Sequence, residues 1–438
     1  MHGAAGVGYC PNMTDPAEFK SEAAAAADGE GKGPRRRDNA FRRRSEIARA
    51  AIDVVALHGV AGLTHRLVAR QAGCSLAATT YYFDSKFDIV REASQLTLEG
   101  YADSLRRTLE HAQKNRADPS FYGAFVARLV RNAVGRDRSR AICWAEMLLD
   151  ASRHEETLLL SQQWNASVRS LWLDIAIAVG VKEPAEAARS AIDVTVGLVL
   201  VASALGVPPH KVDAVLLGGA DPMAAWAPPP ASPDEDGPFR KSGKKAAQTR
   251  EKIIQAAIAI LVTDGAEALT YRMVAERAGI ARAGPFYHFP TINGLLAAAQ
   301  ARLFEESKQR YREAASERPE VLDNDRLIDR TVAVLVREAT EFSASNLATY
   351  AIWLQASRQP DLRPMVWRAI VDQYRAWDRL LSSLSQRTRP ADAMIAFSLF
   401  VGIHLRVLTT GSTIESLSHV RSELAWDFGA LLNGRYPL

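Results

Sequence analysis

The side chains of this 438-residue chain best suited to chemistry sit in two short stretches. One runs Ser75, Leu76, Ala77, Ala78, Thr79, Thr80, Tyr81, Tyr82. The other runs Ala281, Arg282, Ala283, Gly284, Pro285, Phe286, Tyr287, His288. The chemistry they suit is the reading of base edges. Arg282 could pair with guanine through two bonds, worth ~1–3 kcal/mol of discrimination. Thr79 and Thr80 could bond base edges or phosphates, and Leu76 or Ala78 could meet thymine methyls. Ser75 and Tyr82 complete the first set; Gly284, Pro285, Tyr287 and His288 complete the second. A basic segment precedes each stretch. Arg35–Arg37 and Arg42, Arg43 and Arg44 place six arginines in ten residues, and Arg240, Lys241, Lys244 and Lys245 form the second segment. Such segments suit phosphates or the minor groove. The bland alternatives are a plain helical hairpin and solvated tails.

Enzyme chemistry finds little support. There is no Gly-rich phosphate loop, no Gly-x-Ser-x-Gly elbow and no metal-ligand spacing. His58, His65, His154, His288 and His404 are scattered. The sequence therefore predicts no catalysis, no cofactor and no metal. Cys10, Cys74 and Cys143 show neither disulfide nor metal spacing, which suits a reducing cytoplasm. No signal-peptide pattern opens the chain, and no apolar run approaches the ~18 residues of a membrane span. The net charge of +4 says little by itself.

The elements that must position these residues recur. Residues 63–83 read LTHRLVARQAGCSLAATTYYF, and residues 269–289 read LTYRMVAERAGIARAGPFYHF, at an offset of 206 without a gap. Repeats of so long a period are copies of a whole domain. Thr64 and Thr270 suit helix N-caps, Gly73 and Gly279 suit positive-φ turns, and Ser75 suits a second cap. Two short helices across a tight glycine turn make a helix-turn-helix, whose second helix enters the major groove. The spacing predicts recognition helices over 76–81 and 281–287. Apolar periodicity predicts a bracing helix over 43–58, ended by Gly59, and a long helix from Lys86 to about residue 111, where Lys86 adds charge for phosphate at a helix N-terminus.

These motifs resemble the DNA-binding domain of the TetR family of transcriptional regulators. Thr64, Val68-Ala69, Ala72-Gly73, Ser75, Tyr81, Phe83 and Ser85-Lys86 carry the resemblance in the first copy. Thr270, Val274-Ala275, Ala278-Gly279, Tyr287-His288-Phe289 and Pro290-Thr291 carry it in the second. The second copy departs at Ile292, the counterpart of Lys86, which implies either a weaker grip on the backbone there or a different sequence bound.

The later halves align at offset 205: Ala151-Ser152-Arg153 with Ala356-Ser357-Arg358, Trp172 with Trp377, Val196-Gly197 with Val401-Gly402. The expected fold is all-α, two fused TetR-like units. Residues 1–34 form a disordered tail, 35–84 and 245–290 the helix-turn-helix domains, 85–226 and 291–438 the helical regulatory domains. Residues 227–244 are a Pro-rich linker and basic arm. The most apolar stretches, 184–226 and 390–432, are expected to pack together as an intrachain pseudo-dimer, with a higher oligomer as the alternative. The resemblance implies an apolar effector pocket, for which Trp144, Met147, Trp164 and Trp172 are candidates in one half and Trp353, Trp367, Tyr374 and Trp377 in the other. The expected function is a cytoplasmic regulator of double-stranded DNA. It would be a repressor released by a small apolar ligand and reading an asymmetric operator, with no membrane partner. The alternative is a helical adaptor whose degenerate heads bind protein.

Overall fold

A computed structural model describes residues 34–229, 243–316, 322–385, 388–411 and 417–437. The tail up to residue 33 and most of the Pro-rich linker with its basic arm (230–242) lie outside the described residues. Among the described residues every regular element is helical. In the first half these are α1 (Pro34–Gly62), α2 (His65–Gln71), α3 (Leu76–Tyr82), α4 (Lys86–Lys114), α5 (Ser120–Val134), α6 (Arg138–Ala151), α7 (Glu155–Ala178), α8 (Pro184–Leu205), α9 (Pro209–Leu216) and α10 (Pro222–Ala225). In the second they are α11 (Lys244–Thr263), α12 (Tyr271–Ala278), α13 (Gly284–His288), α14 (Ile292–Ser316), α15 (Asn324–Thr340), α16 (Ser343–Arg358), α17 (Arg363–Leu384), α18 (Asp392–Thr410) and α19 (Val420–Leu432).

The chain divides at Glu46 into a short N-terminal unit and a large body from Ile47 onward. The described part of the short unit is helical, so the basic segment from Pro34 onward runs into the first helix. Proline is well suited to a first helical turn, and charge pairs three or four residues apart support a helix. Arg43 lies 2.9 Å and Arg42 3.3 Å from the Glu46 carboxylate. Gly59 ends the regular run of α1 at a kink, with φ 65° and ψ 172°, and a second short run follows to Gly62.

The body is built on a local two-fold relation between α8 and α18, the most extensive helix pair in the chain. The backbones touch where side chains are absent. A Cβ on Gly197 would fall inside the carbonyl oxygen of Ser398, and one on Gly402 inside that of Asp193. Both glycines and both carbonyls are related by the offset of 205, so this is a self-complementary contact of the kind a symmetric dimer makes between subunits. The flanking pairs obey the same relation: α16 and α17 pack on α8, α6 and α7 on α18, and α6 meets α16. The second members of the expected pairs behave differently. α9 packs on α5 of its own half, and α19 chiefly on α15. α8 and α18, apolar on nearly every face, form the centre of the interface, and α19 joins it with a smaller contact on α8.

Those two helices have the length and hydropathy of membrane spans, against the sequence expectation, yet most of each lies buried in protein. Their buried charges are paired, both within α8 and across the interface. Arg189 is 2.9 Å from Asp427 and 3.3 Å from Asp193, and Arg406 is 2.9 Å from Asp193. Burial pulls the arginine pKa values down, but these carboxylates more than offset it, so both guanidiniums are held charged.

Candidate nucleic-acid interface and effector cavity

Each reading head is fixed by caps that the sequence declares. Thr64 accepts from the Leu67 N–H at 3.2 Å, Thr270 from Met273 N–H at 3.3 Å, and Ser75 from Ala78 N–H at 3.1 Å. Gly73 and Gly279 turn the chain at φ 61° and 63°. Ser85 and Asp88 close a capping box at the start of α4. The second recognition helix is shorter than expected. It begins at Gly284, because Pro285 lacks an N–H and is tolerated only in the first turn. Arg282 therefore stands in the exposed turn before α13.

The exposed face of each head falls on matching positions. Ser75, Leu76, Thr80 and Tyr81 are exposed in one; Ala281, Arg282, Phe286 and Tyr287 in the other. Tyr81 is 70% exposed and Tyr287 73%. Each meets its neighbour edge-on, Tyr81 against Tyr82 and Tyr287 against His288. Tyr81 and Phe286 lie outside the set of readers that residue type suggests, although the offset of 206 pairs Tyr81 with Tyr287. Ala78, Tyr82, Gly284 and His288 are partly exposed.

Three expected contacts need correction. Thr79 is fully buried and donates its hydroxyl to the Leu76 carbonyl at 2.8 Å. Its counterpart Pro285 is buried too. Both occupy the inward side of a short helix, which must pack on the head to be held at all. Lys86 does not stand free for phosphate: its ammonium donates to the Ala61 carbonyl at 2.9 Å, and burial lowers its pKa. Lys244 and Lys245 are exposed in the first turn of α11, where like charge opposes the helix dipole.

The heads are tied to the body by crossed arginines. Arg153, at the end of α6, donates to the carbonyls of Val262 at 2.7 Å and Leu261 at 3.0 Å, in the last turn of α11. Arg358, at the end of α16, donates to Ala56 at 2.7 Å and Val55 at 3.3 Å, in α1 just before the kink. Carbonyls at a helix C-terminus lack helical partners and favour a cation. Each arginine thus serves the head of the opposite half.

The first regulatory half encloses a cavity of about 290 Å³ between α4, α5, α6, α7 and α8. Tyr101 and Trp164 stack with ring centroids 5.5 Å apart, and Trp144 lies 5.1 Å from Trp164. Ile192, Val196 and Val199 of α8 complete the apolar lining. Of the four candidates in this half, Trp144 and Trp164 line the cavity. Trp172 is elsewhere, in the solid core 4.9 Å from Phe125, and Met147 packs into the core of the first head. Aromatic type alone does not separate a lining ring from a core ring.

The matching place in the second half holds only about 60 Å³. Offsets of 206 and 205 replace Trp144 with Thr349 and Trp164 with Ala369, while Ile192 and Thr195 become Phe397 and Phe400. Arg310, the counterpart of Ser104, forms a fork to buried Glu338 at 2.8 Å and lies 4.1 Å over Phe342. Trp353 lines this remnant. Trp367, Tyr374 and Trp377 do not: Trp367 packs against the core, Tyr374 donates to the Pro390 carbonyl, and Trp377 lies 5.4 Å from Phe428. Among the described residues no cluster of His, Cys, Asp or Glu could hold a metal.

Two helix-turn-helix heads on a helical body define a DNA-binding regulator. The family model for the N-terminal domain of bacterial regulatory proteins of the tetR family matches residues 253–299, and that for the tetracyclin repressor-like C-terminal domain matches twice, at 117–221 and 322–429. The chain belongs to the TetR family of transcriptional regulators, in tandem form, and the family is not one of enzymes. A curated relative, the uncharacterized HTH-type transcriptional regulator TtgW of Pseudomonas putida, is 38% identical over 64 residues, which is 15% of this chain. The match spans 46% of that relative's length. Similar solved structures include the multidrug binding protein EbrR complexed with ethidium (26% identity, TM-score 0.34, 41% of this chain and 98% of that one). A TetR-family member from Streptomyces coelicolor is 27% identical, with TM-score 0.35 over 41% of this chain and 98% of that one.

Proposed function

We propose that this chain represses transcription by placing both heads on one asymmetric operator, one chain per site, and that a small molecule in the first regulatory half releases it. The observation that carries this is the pair of unlike exposed faces, Ser75-Leu76-Thr80-Tyr81 against Arg282-Phe286-Tyr287, held in one chain by the α8–α18 contact. A two-fold protein with identical heads favours a palindrome. Here the frame is two-fold and the readers differ, so the half-sites should differ. Arg66 and Arg272, exposed at matching places on α2 and α12, join Lys244 and Lys245 as cations for the flanking phosphates.

The switch works by differential affinity. A ligand that favours another spacing of the heads shifts the population away from the DNA-bound form. Coupling of ~1–3 kcal/mol gives 5- to 150-fold release. The test is footprinting on the DNA flanking the chain's own coding sequence, with band-shift stoichiometry. One protected asymmetric site at one chain per duplex, weakening steeply with salt, supports the reading. A perfect inverted repeat bound by two chains overturns the operator arrangement. Salt-insensitive or absent DNA binding returns the function to protein contacts through the exposed rings.

A further inference from the structure

The effector cavity carries more than an apolar wall. Its stacked rings suit a flat molecule, and its charged lining is three arginines against one aspartate. The indole N–H groups of Trp144 and Trp164 are buried with no hydrogen-bond partner among the described groups. An unanswered buried donor is costly, and a ligand acceptor removes that cost. Arg107, Arg136 and Arg140 all line the space and are exposed. Asp137 is the single carboxylate among the lining residues, 3.3 Å from Arg136 and 3.9 Å from Arg140. Arg107 makes no ion pair among the described residues. Gly100 keeps α4 bare at the point where Arg140 approaches.

We propose that this cavity binds a small flat aryl carboxylate, one per chain, with the ring against Tyr101, Trp144 and Trp164 and the carboxylate answered by Arg107 and Arg140. Three guanidiniums against one carboxylate repel a cation and favour an anion. The second half cannot take a second copy. Arg310 there is already neutralised by Glu338, and phenylalanines occupy the volume. The inference rests on the effector reading above only for its consequence on DNA; binding itself is independent of it.

The experiment titrates the full chain with naphthoate, naphthylmethylammonium and naphthalene, read by tryptophan fluorescence and calorimetry. Naphthoate should bind at one per chain and roughly tenfold or more tighter than the ammonium compound, the scale of one charge-assisted hydrogen bond. Arg107→Gln and Arg140→Gln should each weaken naphthoate roughly five- to tenfold and leave naphthalene unchanged. Thr349→Trp, in the second half, should leave the one-per-chain stoichiometry by calorimetry unchanged. Equal or tighter binding of the cation overturns the proposal. So do two equivalent sites, indifference to both arginine variants, or no binding of any probe. If naphthoate binds as expected but leaves operator affinity unchanged, the anion site stands and the release reading falls. If the cation binds and releases DNA, the release reading stands and the anion site falls.

Discussion

Arg153 and Arg358 hold matching places in the two regulatory halves, and each donates from Nε, at 2.7 Å, to a carbonyl in the first helix of the other half's reading head. The acceptors match as well, Val262 with Ala56 and Leu261 with Val55, at offset 206. A head is therefore held by its own long helix and by the opposite half. A shift of α6 beside the cavity would be felt at the second head through Arg153.

The two ties are not equal, and this gives the first prediction. Arg358 also meets Glu146 at 2.6 Å and Glu267 at 3.6 Å; burial already raises the Glu267 pKa and Glu146 adds to that. Arg358→Ala would leave both carboxylates without their cation, a loss of about 3 kcal/mol. Arg153→Ala removes carbonyl contacts and the attraction of Asp150, Glu146 and Asp264, none of them in a close ion pair with it, at about 1–2 kcal/mol. Thermal melts should rank them so, and hydrogen exchange should quicken in the last turn of α11 for Arg153→Ala and before the α1 kink for Arg358→Ala. Exchange confined to the head of the mutated half would show the ties are not crossed.

The backbone contact between α8 and α18 admits no side chain. Gly197→Ala and Gly402→Ala each require the helices to part, and overpacking typically costs ~1–3 kcal/mol, more where backbone must move. By the local two-fold the two variants should lower the melting temperature about equally. Gly429→Ala, where nothing lies near the added methyl, is the control. A well-folded Gly197→Ala chain with unchanged melting would refute the close approach.

Much of this is legible in the sequence for a physical reason: caps, glycine turns and apolar periodicity are local signals. Thr64, Ser75, Gly73 and their counterparts do what their types dictate. The repeat itself points to Gly197 and Gly402 as a pair, though not to their contact. Burial on a short helix is not legible, so Thr79 has the type of a reader and the place of a core residue. Nor is the inequality of the cavities. That depends on which rings leave a gap, and a tryptophan in a core (Trp172) has the same spacing as one in a cavity wall (Trp164). Arg310 and Glu338 fill the second half from positions 28 residues apart, a pairing that periodicity does not expose.

His404 supplies a pH prediction. It is buried on α18, with Nδ1 2.9 Å from the Tyr350 hydroxyl. Burial pulls its pKa down to about 4 from 6.5, and Glu338 only partly offsets this. The folded chain thus binds fewer protons than the unfolded chain between those values. The contribution is fully present above pH 6.5 and is lost as pH falls toward 4, up to about 3 kcal/mol in all. Melting temperature measured across that window should fall with acid, and His404→Gln should flatten this part of the curve. An unchanged slope in the variant would assign the acid loss to other groups.

The sharpest test of the unlike heads lies at Arg282 and its counterpart Leu76. Arg282 is exposed before α13 and Leu76 opens α3, so a cation that can fork onto guanine in one head faces an apolar side chain suited to a thymine methyl in the other. Arg282→Ala should cost ~1–3 kcal/mol of operator affinity and relax preference at a single base pair in one half-site. The salt dependence should barely change, because a base contact releases few counterions. Leu76→Ala should weaken the other half-site and leave the first untouched. Selection of binding sites with each variant reads both effects at once. Uniform weakening by Arg282→Ala, with a shallower salt slope, would make Arg282 a phosphate contact and leave specificity to Phe286 and Tyr287.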